Sequence, residues 1–371
     1  MKVTRRYLQV LLVSCLIIST VLLLRYKNVT LPAFEWSSAD ELFCHDISDQ
    51  AALPDISQHP PNPNKRNIFF LETTCNSFRR GKLFIKARQA CAVESAARLN
   101  PDMDVHLLFA SPGILKDENT QSDRLLHSLT AYPNSDRLLH SLTAYPNVKL
   151  LHFDLQQFIQ DSPVEELWSS GRIKESRYPV AHVSDILRLL TLWKFGGIYL
   201  DLDVIVLKSL TTLPENFAGA QSVDLVANGV MGFSRTGKGH QYMQECLEDA
   251  ALNFNGIIWG ENGPILITRN IFKHCSKFSY PMLIRFGICD EFRIIPPSGF
   301  YLLPYQNWQL FFEEDLAGNI VSYAEANSYL VHVWNKLSLN WTILKRDLNV
   351  PYLQLASKYC PGVVRELDVE F

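Results

Sequence analysis

Asp201 and Asp203 are the two charges in an otherwise apolar run, Ile198–Leu207. Residues two apart on a strand face the same way, so both carboxylates are expected to enter one pocket. Holding two like charges together is costly unless a cation or hydrogen-bond donors compensate them. Magnesium or manganese bridging a diphosphate would do so, because these ions take oxygen ligands from one or two carboxylates plus substrate phosphates. Upstream, Asp185 and Arg188 stand at i and i+3 in Ser184–Trp193, a segment apolar nearly all round. They share a helix face. A structural ion pair is the plain reading of that pair, and two surface carboxylates at a strand end is the plain reading of a bare Asp-x-Asp. Both readings lose ground because the helix runs through Gly196-Gly197 straight into Tyr199-x-Asp201-x-Asp203.

These residues need a scaffold. Asn67–Leu71, Val105–Phe109 and Val148–Phe153 read as strands, with a helix over Phe84–Leu99 between the first two. Alternating strands and helices predict an α/β fold with a Rossmann-like, mixed, mainly parallel sheet flanked by helices. Ligands of such sheets sit at the carboxyl ends of the strands, where Glu72 and Thr73 lie. Gly196-Gly197 supplies the positive φ that a helix stop and sharp turn ask for. Ile198–Leu207 is expected as one buried strand. Asp224–Arg235 reads as a further strand carrying Asn228, which could bond donor-sugar hydroxyls or cap its own turn. An amphipathic helix over His240–Phe254 follows. The glycine-broken loop Asn255–Pro264 then opens a helix over Ile265–Phe272, bringing backbone and a helix N-terminus close to a ligand. Trp259 in that loop could stack on an acceptor ring, although a lone Trp is more often core.

Ser184-Asp185-x-x-Arg188 with Gly196-Gly197-x-Tyr199-x-Asp201-x-Asp203 resembles the sugar-nucleotide core of retaining glycosyltransferases that carry a metal-binding Asp-x-Asp motif. Four further stretches resemble the α-1,4-galactosyltransferase family: Asn67–Thr73, Cys91–Arg98, Trp259–Pro264 and Val331–Lys336. The resemblance runs from about Asn67 to Pro361. It implies a GT-A-type fold and a UDP-sugar transferase using Mn2+ (or Mg2+), with UDP-galactose as donor. The implied acceptor is a glycosphingolipid such as lactosylceramide. The resemblance also implies that Asp203 coordinates the metal, Asp201 the metal or the ribose, and His332 completes the shell. It puts Asn262 and Gly263 in the sugar pocket, Asn262 with a catalytic part, and makes Lys336 a phosphate contact. Asp185, Arg188, Asn228, Tyr199, Glu72 and Trp259 are the expected substrate-binding set. Retention would proceed either through a carboxylate near the anomeric carbon, for which Glu261 is the nearby acid, or by front-side attack. N-acetylgalactosaminyl or N-acetylglucosaminyl transfer, a non-catalytic lectin or chaperone on the same fold, and a metal-dependent phosphohydrolase are the rival readings.

Composition sets bounds. A net charge of -3, without basic runs beyond the N-terminus, gives no reason to expect nucleic acid. Eight cysteines occur without a CxxC pair, so zinc and thioredoxin-like chemistry lack support. If the bulk of the chain is lumenal, seven of them meet an oxidising compartment and disulfides follow. Cys275 and Cys289, close in sequence, are the expected bridge. The odd count leaves one cysteine over, and a homodimer through a stem cysteine is a possible use of it.

Residues 1–6 carry Lys2, Arg5 and Arg6, and 7–24 run apolar. As a helix that run spans ~27 Å, enough for a thin secretory-pathway bilayer. The expected plan is a cytosolic tail (1–6), an uncleaved single-pass signal-anchor (7–24), a stem (25–66) and a lumenal catalytic domain (67–371), on a type II Golgi membrane protein. Within that domain 67–210 would hold the donor and 211–371 the acceptor. Ser122–Asn134 is repeated without change as Ser135–Asn147. One copy suffices for a helical turn before the third strand, and the other is expected as surface loop.

Overall fold

Four strands form the parallel half of the sheet. They are β1 (Ile68–Glu72), β2 (Val105–Phe109), β3 (Val148–His152) and β4 (Gly197–Leu200). Every residue of β1 and β2 is buried, as expected of strands covered on both faces. The computed structural model describes residues 39–47, 53–114, 116–129, 145–275, 287–289, 291–314 and 317–371. Beyond β4 the sheet becomes mixed. β7 (Val226–Phe233) runs antiparallel to β4, and β6 (Phe217–Ala220) antiparallel to β7. β9 (Phe292–Ile295) is parallel to β6, and β8 (Ile288–Cys289) closes the edge, giving the order β3-β2-β1-β4-β7-β6-β9-β8. The mixed, mainly parallel α/β sheet expected from the alternation is therefore present.

Helices cover both faces. Ile68 and Phe70 of β1 pack into one core with Ala90, Val93 and Ala97 of α1 (Ala87–Leu99). Phe69 and Leu71 pack into the other with Ile186 and Leu190, borne on a later helix, Pro179–Phe195. The alternation of β1 side chains between two cores is the period of two made visible. The remaining named helices are α2 (Gln121–Leu129), α3 (the helix Pro179–Phe195), α4 (Gly237–Asn253), α5 (Leu266–His274), α6 (Ala317–Asn327), α7 (Pro351–Tyr359) and α8 (Pro361–Glu366). α3 stops at Gly196 and Gly197, whose φ angles are +63° and +92°. A Cβ on Gly196 would lie 2.6 Å from Arg235 N, and one on Gly197 2.5 Å from Asn67 O. Both the angle and the space demand glycine there.

Ile198–Leu207 is not one strand. β4 ends at Leu200, the chain turns through Asp201-Leu202-Asp203, and β5 (Val204–Val206) leaves the main sheet to pair antiparallel with β10 (Leu330–His332). Backbone bonds fasten the turn from both sides: Asp201 N to Gly229 O at 2.8 Å and Val333 N to Asp203 O at 2.9 Å. The carboxylates converge because of this turn, not because of strand alternation.

The folded unit extends N-terminal of Asn67. The helical turn Ala39–Asp46 buries Leu42 and Cys44, and Leu53 and Ile56 are buried too. Ile56 N donates to His152 O at 2.9 Å, at the end of β3. Cys44 is bridged to Cys75, Cys91 to Cys360, and Cys275 to Cys289 as expected. Cys246, buried on α4, is the free cysteine among the described residues. A homodimer through a stem cysteine is therefore overturned, because Cys44, the cysteine of segment 25–66, is spent within its own chain. The apolar segment 7–24 lies outside the described residues. Among those described, no helix is long and apolar enough to cross a membrane.

The tandem copies share their work. α2 comes from the first copy. Tyr145 and Asn147, which lead into β3, come from the end of the second. Asn147 Nδ2 donates to Ala97, Asn100 and Met103 carbonyls at 3.0–3.1 Å. The rest of the second copy lies outside the described residues.

Candidate active site

The site is built where β4, β5, β7, β10 and α3 meet. Asp201 Oδ1 accepts from Arg188 Nη1 at 2.9 Å and Tyr199 OH at 2.7 Å. Tyr199 ends its hydroxyl on this carboxylate, and the Arg188 guanidinium lies over its ring at 4.8 Å. Asp203 Oδ2 accepts from Asn335 N at 3.0 Å. His332 arrives on β10, in register with Val204 of β5. Its Nε2 lies 2.9 Å from Asp203 Oδ1 and 3.4 Å from Asp201 Oδ2. One atom from each of Asp201, Asp203 and His332 falls within 4.8 Å of the others.

That cluster fits a divalent cation. Asp203 Oδ1 is buried with no aligned hydrogen-bond donor, although His332 is near. Two carboxylate oxygens and an imidazole nitrogen suit manganese or magnesium better than a soft metal. Electrostatics agree. Burial alone would raise the Asp201 carboxyl, but Arg188, then His332 and Tyr199, hold it below its ordinary value. Burial alone would lower His332, but Asp203 and Asp201 raise it to about 9. In the metal-free site a proton on His332 partly supplies the positive charge that the carboxylates require.

A second group lies beside the first and shares Arg188. Arg188 Nη2 donates to Ser184 Oγ at 2.9 Å and sits 3.5 Å from Asp185 Oδ1, while Nη1 also reaches Asn228 O at 3.2 Å. Asn228 Nδ2 donates to Asp185 Oδ1 at 2.7 Å. Burial pushes the Asp185 carboxyl up to about 6, against the pull of Arg188 and Asn228. Gly263 closes over this pair. A Cβ there would come within 2.6 Å of Asn228 Nδ2 and 2.9 Å of Asp185 Oδ1. Asp201, Tyr199, Arg188, Asp185 and Asn228 thus form one continuous polar network, with Gly263 packed against its far end.

The other expected residues divide. Asn262 is buried, and its amide is spent on the loop. Oδ1 accepts from Asn255 N at 2.9 Å and Nδ2 donates to Asn255 O at 2.7 Å. Glu261 pairs with Arg269 at 2.7 Å, and Arg269 is held in turn by Asp249 at 2.7 Å. Trp259 is not core; it is 48% exposed, with Lys336 Nζ 5.1 Å from its ring centre and 5.9 Å from that of Tyr178. Glu72 is buried at the end of β1. Oε1 accepts from Thr74 Oγ1 at 2.7 Å, and Oε2 has no partner. Burial pushes its carboxyl up to about 7. It has no bond to the Asp201 cluster. Tyr301 was missed. Its ring lies 5.3 Å from that of His332, and burial together with Asp201 and Asp203 raises its hydroxyl well above the ordinary range. No motif surrounds it in the sequence, so only the fold could bring it into view.

Residues 86–219 match the family described as a glycosyltransferase sugar-binding region containing the DXD motif. Residues 235–367 match the alpha 1,4-glycosyltransferase conserved region. Lactosylceramide 4-alpha-galactosyltransferase of Mus musculus is 37% identical over 82% of this chain and 76% of its own length. The Homo sapiens protein of that name is 35% identical over 83% and 78%. The chain belongs to the alpha-1,4-glycosyltransferase family. A third relative, alpha-1,4-N-acetylglucosaminyltransferase of Homo sapiens, is 28% identical over 78% of this chain and 82% of its own. As an alpha-1,4-glycosyltransferase the chain is a UDP-sugar hexosyltransferase. Its two family matches divide the site: Asp185, Arg188, Tyr199, Asp201 and Asp203 fall in the first, and Trp259, Asn262, Gly263, His332 and Lys336 in the second.

Proposed function

We propose that this alpha-1,4-glycosyltransferase moves galactose from UDP-galactose to a glycosphingolipid acceptor such as lactosylceramide, forming an α-1,4 linkage with retention, on a GT-A-type scaffold. The observation that carries the reading is the convergence of Asp201, Asp203 and His332 beside the Asp185–Asn228 pair. The first three residues would hold Mn2+ or Mg2+. A divalent cation bound there supplies Lewis-acid stabilisation of charge on the departing diphosphate. Arg188 fixes the Asp201 carboxylate, and Tyr199 orients the same oxygen. Asp185 and Asn228, packed under Gly263, are the acceptor and donor assigned to the sugar hydroxyls. Lys336, beside Trp259 at the mouth, is assigned to the phosphates, and Glu72 to the nucleotide. Asn262 serves the pocket by holding its loop.

Double displacement needs a carboxylate free near the anomeric carbon. Glu261 is tied to Arg269, and Asp185 to Asn228 and Arg188, which supports front-side attack. Three disulfides support a lumenal, oxidising compartment, consistent with a type II Golgi protein anchored by 7–24.

The test supplies the full chain with Mn2+, lactosylceramide and, in turn, UDP-galactose, UDP-N-acetylgalactosamine and UDP-N-acetylglucosamine, with Asp203→Asn as control. Transfer from UDP-galactose alone, lost in the variant, is expected. Transfer from an N-acetylhexosamine donor instead would replace the donor assignment. Binding of UDP and Mn2+ without any transfer would favour a lectin or chaperone.

A further inference from the structure

Three consecutive residues at the tip of the pocket loop, Ile257, Ile258 and Trp259, are 71%, 49% and 48% exposed. Large apolar side chains in a row at that exposure normally mark a contact surface. Their backbone is provided for. Asn255 Oδ1 accepts from Ile257 N at 2.8 Å and Ile258 N at 3.0 Å, and Ile258 O accepts from Glu261 N at 3.3 Å. Asn262 clamps the neck of the loop to Asn255, and Gly256 O accepts from Arg177 N at 2.7 Å. The tip can enter an apolar medium without baring these backbone groups, which is the main cost of putting irregular chain there. From Asn253 to Gly260 there is no charged residue, and the ammonium over the Trp259 ring is Lys336. Aliphatic side chains, an indole and a lysine together suit the headgroup boundary of a bilayer.

We propose that Ile257, Ile258 and Trp259 insert into the lipid surface that carries the acceptor, seating the mouth of the pocket on the membrane. This rests on the glycolipid reading above. The same loop continues through Asn262 to Gly263, where the room for even a Cβ is taken by Asp185 and Asn228, so insertion of the tip would bring that part of the site toward headgroup height.

The test uses the full chain reconstituted in phosphatidylcholine vesicles with Mn2+ and UDP-galactose. Transfer is followed to lactosylceramide in the same bilayer and to water-soluble methyl lactoside. The double variant Ile257→Ser/Ile258→Ser is expected to raise the KM for lactosylceramide about tenfold or more and to leave methyl lactoside transfer unchanged. Equal loss on both acceptors, or no change on either, would overturn the proposal. If the unaltered chain transfers to neither acceptor, the functional reading fails, and a second readout decides this one. Ile257→Cys carrying an environment-sensitive dye is expected to shift to the blue and be quenched by spin-labelled acyl chains. Emission as in water would overturn insertion, and a blue shift that depends on protein concentration in detergent alone would assign the tip to a second copy.

Discussion

Gly229 faces Asp201 so closely that a Cβ placed on it would come within 2.5 Å of Oδ2 and 3.2 Å of the Tyr301 hydroxyl. The carboxylate that meets His332 therefore depends on a missing side chain on β7. Gly229→Ala should move Asp201 and weaken Mn2+ binding by about 10- to 100-fold, the range seen when support around a metal ligand is lost. Isothermal titration with Mn2+ checks it, and unchanged affinity would show that the site yields without cost.

The His332 imidazole links metal binding to pH. Its metal-free value is raised from 6.5 to about 9, so the stabilisation it gives is complete below about 6.5 and fades as pH rises through 9. A metal needs the neutral ring, so Mn2+ must displace a proton anywhere below about 9. Calorimetry at pH 7 in buffers of different ionisation enthalpy should report close to one proton released, and none from this source in His332→Ala.

Arg188 serves both halves of the site, reaching Asp201, Ser184 and the Asn228 carbonyl. Lysine carries the charge but not the fork. Arg188→Lys should lower kcat/KM by about 100-fold, roughly 2.7 kcal/mol of transition-state stabilisation, with the fold intact. Steady-state kinetics with circular dichroism would show whether loss of activity and loss of fold coincide, which would argue for a purely structural pair.

Glu94 on α1 tests stability apart from chemistry. It is fully buried and accepts from Gly362 N at 2.8 Å, Val363 N at 2.7 Å and Tyr145 OH at 2.6 Å. Glu94→Ala leaves three donors unmatched and should cost about 3 kcal/mol. Denaturant melts check the size of the loss, and KM for the donor in the folded fraction should not change.

The tandem copies give a fifth expectation. α2 and the lead into β3 use one copy's worth of structure. Deleting 135–147 should leave a melting temperature within about 1 °C, the shift expected from well under 1 kcal/mol in a folded unit this large. A collapse of the melt would show that the second copy packs.

The sheet and the donor half were largely legible. β1, β2 and β3 lie within a residue of their expected bounds, because apolar runs bounded by polar turns specify buried strands. Asp185 and Arg188 were legible because helical spacing alone puts them on one face. Asp201 and Asp203 do converge, but through a turn between two sheets that period-two reasoning does not foresee. Tyr301 and the Cys91–Cys360 bridge were illegible, since their partners are set by tertiary path and not by local pattern. The folded part of the expected stem was hidden for a related reason: Leu42 and Ile56 are single anchors without periodicity.

His332 lies close to the carboxyl end of the chain, yet it completes a cluster begun by Asp201, and Cys91 waits for a partner 269 residues downstream. Synthesis runs from the other end. During most of its synthesis the nascent polypeptide therefore carries Asp201 and Asp203 without His332, and Cys91 without its partner. Assembly of the three-residue cluster and closure of the Cys91–Cys360 bridge both wait until translation nears completion, so a prematurely terminated product lacks both even when its sheet is in place.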